Sequence, residues 1–303
     1  MPSSDPLSEV LTAIEATSVL STGLRAHGNW SVQVGAHTGM KFNAVLAGGC
    51  WLSLEGSDPV GLVEGDCFLL SKGLPFVVTS DLHLEPSAAS DVFAEAKNGL
   101  AVLDRGPGNE FESVGGRMDI SMEIDFLQAS LPPLVLLRGG GDEASRVRWL
   151  LDRLLWETSH QLPGANAVCS QIMHMIFIEM IRASSSSSPS EHSWLAALSD
   201  PQIGRALRLV HSDSQRPWKL DDLADAAYLS RSQFSARFLK AVGMAPIEYV
   251  LHWRMTLAAK LLKEKRDRIG LISAAMGYQS EAAFGAAFKR VHGVSPGKYR
   301  QTL

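Results

Sequence analysis

Cysteine is scarce. Cys50, Cys67 and Cys169 are the only three in 303 residues, too few and too scattered for a disulfide framework. No stretch approaches 18 uninterrupted apolar residues, so no transmembrane helix and no membrane partner are expected. The opening MPSSDPLSEV has neither a basic n-region nor a long apolar run, which argues against a signal peptide and for a cytoplasmic address. Phosphate-cradling glycine motifs are missing too: RGGGD at 138–142 and RGPGN at 105–109 match neither GxGxxG nor a P-loop, lack the strand-to-helix context, and read as loops. What is present is globular in kind. With 46% hydrophobic and 20% charged residues, the chain is long enough for two domains.

Charge is unevenly spread. From Asp200 to Leu303 there are 17 Lys+Arg against 9 Asp+Glu, whereas Met1 to Ser199 carries 11 against 23. A basic third on an acidic body fits attraction of a polyanion by one part only. A run such as Lys260–Arg268 taken alone is no more than a solvated helix end; the asymmetry of the whole is the signal.

The basic third holds one pattern twice. In the first copy, Asp221 or Asp222 can cap a short helix with Leu223, Ala224 and Ala227 inward. Leu229-Ser230 forms the turn, and Ser230 caps a helix with Phe234, Phe238 and Ala241 on one face. Gly243 stands where a left-handed C-cap is wanted. In the second, Ile269, Ile272 and Met276 face inward, Gly277-Tyr278 turns, Ser280 caps, Phe284, Ala287, Phe288 and Val291 are buried, and Gly293 ends the helix. Two short helices around a tight turn, the second amphipathic, make a helix-turn-helix. Between the copies, Pro246 opens a helix. From Ile247 to Lys263 it spans roughly 25 Å at 1.5 Å per residue. Such a rod can hold two recognition helices in successive major-groove segments about 34 Å apart, provided the DNA bends or one helix inserts only in part.

The runs LADAAYLSRSQFSARF, WRMTLAAKLL and IGLISAAMGYQSEAAFGAAFKRVHGVSPGKYR, with Gly243 and Pro246 between the first two, resemble the AraC/XylS family of transcription regulators. The match covers about Asp200 to Arg300, and it implies a seven-helix DNA-binding module complete in one chain. With the phenylalanines inward, the outward faces hold Ser232, Ser235, Ala236 and Lys240, then Ala282, Ala286 and Lys289. Arg231, Gln279, Ser280 and Arg290 complete the expected DNA-contacting set. Family members often carry a long polar or arginine side chain where Ala236 and Ala286 stand. Bidentate base readout is therefore expected to be modest, with phosphate contacts and DNA shape supplying more of the affinity. Lys298 and Arg300 are further phosphate candidates, and Arg254, mid-helix beside Trp253, reads as structural.

From Trp30 the period becomes two: Trp30, Val32 and Val34; Phe42, Ala44 and Leu46; Cys50, Leu52 and Leu54; Val60 and Leu62. Gly48-Gly49, GSDP at 56–59 and Gly65-Asp66 interrupt it. CWLSLEG with VGLVEGDCFLLSKGLPFVV resembles the cupin pattern, over about Phe42 to Thr79, as found in one branch of the same family. That branch commonly has histidines at the places of Asn43 and Phe76. Neither is present, and His27, His37 and His83 offer no ligand spacing, so no metal and no cofactor are expected. A barrel lined by Phe42, Leu46, Trp51, Phe68 and Phe76 can hold a small apolar or aromatic effector, or simply be filled by its own side chains. Two alternatives stay open: a redox switch through Cys50 and Cys67, and a cupin-type enzyme fused to a DNA-binding tail.

Next come two long apolar-striped helices at 143–183. The second is apolar nearly all round at Ile172–Ile181, which fits packing on the barrel and on a second copy at once. SSSSSPSEHS at 184–193 is a low-complexity linker. The expected architecture is α+β. Residues 1–183 form a cupin-like effector and dimerisation domain that includes the hairpin 143–183, 184–199 is the linker, and 200–303 is the DNA-binding module. The expected function is sequence-specific transcription regulation without enzymatic activity. The expected partners are double-stranded promoter DNA, RNA polymerase, a small-molecule effector and a second copy of the chain.

Overall fold

The structure is a computed structural model that describes residues 5–13, 16–119, 125–187, 193–264 and 267–301. Its first half runs α1 (Pro6–Ala13), β1 (Thr17–Leu20), β2 (Gly23–Gly28), β3 (Ser31–Val34), β4 (Met40–Leu54), β5 (Val60–Val63), β6 (Cys67–Leu70), β7 (Phe76–Thr79), β8 (Ser87–Ala88), α2 (Ala89–Ala94), β9 (Leu100–Arg105), β10 (Glu110–Asp119), α3 (Asp125–Ser130) and β11 (Leu134–Leu137). Ten helices follow: α4 (Asp142–His160), α5 (Ala165–Ser187), α6 (Trp194–Ser199), α7 (Ile203–Ser212), α8 (Leu220–Ala226), α9 (Arg231–Val242), α10 (Pro246–Glu264), α11 (Ile269–Ala275), α12 (Glu281–His292) and α13 (Pro296–Gln301).

Two compact units result. One comprises the described residues of 16–120 and 131–188; the other comprises those of 1–15, 121–130 and 189–303.

The first unit is a curled half-barrel sheet with a helical hairpin. Its spine is β4, whose 15 residues change partners half-way. Lys41–Ala44 pair with β6 on one edge and Met40–Gly48 with β10 on the other; Gly49–Leu52 then pair with β5, and Trp51–Leu54 with β7. The bend falls at Gly48, which has φ +72°, and a Cβ there would overlap the Glu110 carbonyl oxygen. Opposite the bend, the β10 register shifts between Glu112 and Ser113, a β-bulge that lets the sheet turn. Asp66, 1% exposed, ties the turn after β5. Its carboxylate accepts from the Val63 and Gly139 backbone N–H groups and from Arg138 Nη1 at 2.7 Å. α5 lies across the sheet close enough that a Cβ on Gly116 would run into Met173, and Phe177 meets Phe42 edge-on at 6.2 Å. Met173, Ile176, Phe177, Met180 and Ile181 are all 0% exposed. The apolar girdle of α5, expected to serve sheet and partner together, is therefore spent largely within its own unit.

The second unit corrects the expected boundaries in two places. α1, assigned to the N-terminal domain, packs against α7 and α10 of the helical module, where Lys260 Nζ donates to the Thr12 carbonyl at 3.0 Å. The expected linker is also shorter than 184–199. α5 continues to Ser187 and α6 begins at Trp194, which is 0% exposed; residues 188–192 lie outside those described. The reason is burial: Trp194 and Leu195 are core residues that a loop would leave in water, and Ser193 caps α6 by accepting from Ala196 N–H. α3 contributes as well. Phe126 stacks near Trp194 and Tyr249 at 5.0 and 4.9 Å, and Ser130 Oγ accepts from Trp194 N–H.

Candidate nucleic-acid interface and ligand cavity

The two helix-turn-helix units close by the local signals seen in the sequence. Ser230 Oγ accepts from Gln233 N–H while Gln233 Oε1 accepts from Ser230 N–H, a capping box; Ser280 Oγ accepts from Ala283 N–H. Gly243 and Gly293 take φ +84° and +73° at the helix ends. The two turns match hydrogen bond for hydrogen bond. Leu229 N–H reaches the Ala224 carbonyl as Tyr278 N–H reaches that of Ser273, so Tyr228 at φ 55° occupies the place of Gly277 at φ 78°. Phe234, Phe238, Phe284 and Phe288 are each 0% exposed. α10 spans 19 residues, about 28 Å of rod. Arg254 donates to the carbonyls of Ser214, Gln215 and Arg216, which makes it a structural brace of the preceding loop.

Burying those rings turns the predicted faces outward. On α9, Arg231, Ser232, Ala236 and Lys240 are exposed and Ser235 is half-buried; before and on α12, Gln279, Ser280, Ala282, Ala286, Lys289 and Arg290 are exposed. Arg231 and Ser280 also serve within the module. Arg231 Nε lies 2.7 Å from Asp221 Oδ1 in an exposed pair, and the Ser280 hydroxyl is committed to its cap. Arg237, on the flank of α9, is held by Asp200 at 2.7 Å and by Gln202 at 2.5 Å and so is not free to reach outward. Arg300 is half-buried, with Nε and Nη2 lacking hydrogen-bond partners.

In the first unit a cavity of ≈ 400 Å³ opens on the concave side of the sheet. Of the five residues expected to line a pocket, Phe42 and Phe76 do, joined by Val32, Val34, Val78 and Phe93. Phe68 is buried core beside Phe76, with rings 6.3 Å apart, Leu46 is half-buried, and Trp51 is 40% exposed, covering Gly61 on the outside. Placing Trp51 in the pocket runs against the alternation itself: Cys50, Leu52 and Leu54 share the inner face, which leaves Trp51 on the outer one. Sequence reasoning missed Lys41 and Arg117, which also line the cavity. They are direct cross-strand partners on β4 and β10, 76 positions apart in the chain, and only the sheet register brings them together. Burial and the neighbouring Arg117 charge lower the Lys41 pKa; Nζ sits 6.0 Å from the Phe76 ring centroid. Arg117 is paired with Asp119 at 2.8 Å. His37 is pushed below its usual range, first by burial and then by Lys41.

The cysteines give the redox reading no support. Cys67 pairs with Ala44, six positions before Cys50 on the same strand. Both thiols are buried and free, and burial, reinforced by Asp66, pushes each up to about 12. Almost no thiolate then exists at neutral pH to react. Among the described residues no three His, Cys, Asp or Glu side chains converge as a metal site, and no helix is long and apolar enough to cross a membrane.

A curled sheet together with twin helix-turn-helix units on a basic module defines a DNA-binding protein of the transcription-regulator type. A cupin family model matches residues 5–185 and a helix-turn-helix domain model matches 223–302. The chain is 38% identical to a protein described as an AraC-like transcription regulator from Streptomyces antibioticus and 37% identical to another from Streptomyces lividans, each over 98% of both chains. It is 28% identical to the HTH-type transcriptional regulator AlkR of Acinetobacter baylyi, over 98% of this chain and 99% of that one. The chain belongs to the AraC-type family of DNA-binding transcription regulators with a cupin-like domain.

Proposed function

We propose that this regulator responds to a small acid with an apolar or aromatic body, bound in the cavity of the curled sheet. The carrying observation is the pairing of Lys41 with Arg117 against a wall of Phe42, Phe76, Val32 and Val78. Among the described residues Lys41 has no ion-pair partner, whereas Arg117 is shared with Asp119, so Lys41 is the charge that an incoming carboxylate would neutralise. Coupling to DNA binding requires that the ligand favour one of two arrangements of the chain. DNA is contacted through Arg231–Val242 and Ser280–Val291, mainly at phosphates. The test is protection of DNA fragments from around the protein's own gene, at two salt concentrations with non-specific competitor, with and without a panel of apolar monocarboxylates. A defined footprint altered by one of them in wild type, and unaltered in Lys41→Met, supports the proposal. A footprint that responds equally in both variants, or to none of the acids, refutes the effector site while leaving DNA binding intact.

A second copy of the chain is the proposed partner of the hairpin, with the seam on α4. Trp149 and Trp156 are 65% and 41% exposed there. Ser145, Trp149, Asp152, Trp156 and Ser159 follow the 4-3-4-3 spacing of a coiled-coil seam on the solvent face. An antiparallel two-fold centred between Asp152 and Arg153 sets each Trp149 against the other copy's 156 position and each Asp152 against a guanidinium. Sedimentation of Trp149→Glu and Trp156→Glu tests this: dimeric variants would exclude the seam.

A further inference from the structure

Beside β1 lies an open groove of ≈ 680 Å³ bounded by β1, the end of α4 and the start of α5. Two buried side-chain oxygens of its lining residues have no hydrogen-bond partner among the described residues. Glu157 is 4% exposed, and its Oε2 makes no hydrogen bond. Its other oxygen is ion-paired with Arg153 Nη2 at a long 3.5 Å, and the same guanidinium lies over the Trp156 ring, 4.5 Å from its centroid. Ser18 is 3% exposed, and its Oγ is likewise unpartnered, although its carbonyl accepts from Ser170 Oγ at 2.7 Å. Buried polar groups in folded proteins are nearly always paired, and a carboxylate oxygen left without a donor is among the costlier exceptions. Two such atoms among the residues of one groove make it a candidate site for a polar ligand.

The lining sets the charge that such a ligand would carry. Among the described lining residues there is no lysine, arginine or histidine, and Glu157 is the one carboxylate; Arg153, paired with its Oε1 from outside the lining, is nearly half exposed and screened by water. α4 ends here and α5 begins here, so their opposed dipole ends offset each other and the buried carboxylate sets the potential. Cys169, the other ionisable group at the groove, has its thiol pushed up by burial and by Glu157, so it stays neutral. Asn98, Thr158, Gln161 and Asn166 complete a rim of amides and hydroxyls suited to alcohol groups. The volume is that of a small-molecule site.

We infer that this groove binds a small hydroxylated amine, its ammonium group donating to Glu157 Oε2 and a neighbouring hydroxyl bonding Ser18 Oγ. Val19 and Leu20 wall both this groove and the apolar cavity, so β1 is the element the two sites share. The site is independent of the acid-binding reading: it uses the opposite charge and none of the same polar residues.

The experiment is calorimetric titration of the full chain with ethanolamine, serinol and glucosamine, with glucose as the uncharged counterpart of the last. Wild type, Glu157→Gln and Ser18→Ala are compared, and each is also melted with and without probe. Saturable binding of at least one amine is expected, for glucosamine at least tenfold tighter than glucose. It should weaken tenfold or more in Glu157→Gln and by a smaller factor in Ser18→Ala. Without probe, Glu157→Gln keeps the shape of the side chain and gives up only the long contact with the half-exposed Arg153, so it should melt close to wild type; with probe its melting point should not move. Absence of saturable binding by all three amines, binding of glucose equal to that of glucosamine, or unchanged affinity in Glu157→Gln would each overturn the inference.

Discussion

The hydroxyl of Tyr249 offers a sharp test of how the helical unit is held together. Tyr249 is 0% exposed, and its oxygen sits between two other buried rings. Trp194 Nε1 donates to it at 2.8 Å, and it pairs with His211 Nε2 at 2.7 Å. Trp194 belongs to α6, His211 to α7 and Tyr249 to α10, so one oxygen joins three helices. Tyr249→Phe removes that atom and little apolar area. It leaves a buried indole N–H and a buried imidazole nitrogen without partners, each costing about 1–3 kcal/mol. Taking the lower part of that range, because the two rings can close partly on the vacated position, the loss is about 2–4 kcal/mol. Set against a typical total of about 5–15 kcal/mol, that is a large fraction. In urea, with a slope of about 1–3 kcal/mol/M, the midpoint should fall by about 1–2 M. The assay is urea unfolding followed by tryptophan fluorescence and by loss of DNA binding, with only the transition that abolishes DNA binding expected to move. A change below about 0.5 kcal/mol would show that the three-ring network contributes no net stability and would refute the reasoning.

Phe288→Ala should cost about 3–5 kcal/mol through the cavity it leaves, since the ring is fully buried against Phe284, His292 and Tyr299. Denaturant unfolding and contraction of the DNA footprint to one half-site are the readouts, and a full-length footprint would contradict it. Lys289→Ala, on an exposed position of α12, should leave the melting temperature unchanged and reduce the slope of log binding constant against log salt by about one; an unaltered slope removes Lys289 from the phosphate contacts. His211 is lowered by burial, while Glu9, with Oε2 3.3 Å from Nδ1, and the more distant Asp5 pull it back up. A neutral histidine in the fold takes up its proton on unfolding, so stability is complete above about pH 6.5 and falls as pH drops below it. Glu9→Gln should steepen that fall between pH 7.5 and 5, as read from melting temperatures; a flatter profile than wild type would count against the assignment.

What the sequence determined on its own is short-range. Serine caps, glycines at helix ends, Pro246 at a helix start and paired phenylalanines four apart act within a turn or two of helix, so the local backbone obeys them in any context. They were enough to place both helix-turn-helix units and the outward faces of α9 and α12. The charge asymmetry, a sum over many residues, was equally legible. The half-barrel was readable as a class from its alternation, and the same period, with Cys50, Leu52 and Leu54 inward, leaves Trp51 on the outer face, against its expected place in the pocket. Tertiary structure alone decided the rest. Lys41 and Arg117 became neighbours through the register of β4 and β10, and Ser18 and Glu157, 139 positions apart, through the packing of the hairpin on β1. α1 joined the helical unit and Trp194 became core instead of linker because each had apolar surface to bury, and nothing local to a stretch of sequence says which distant surface will cover it.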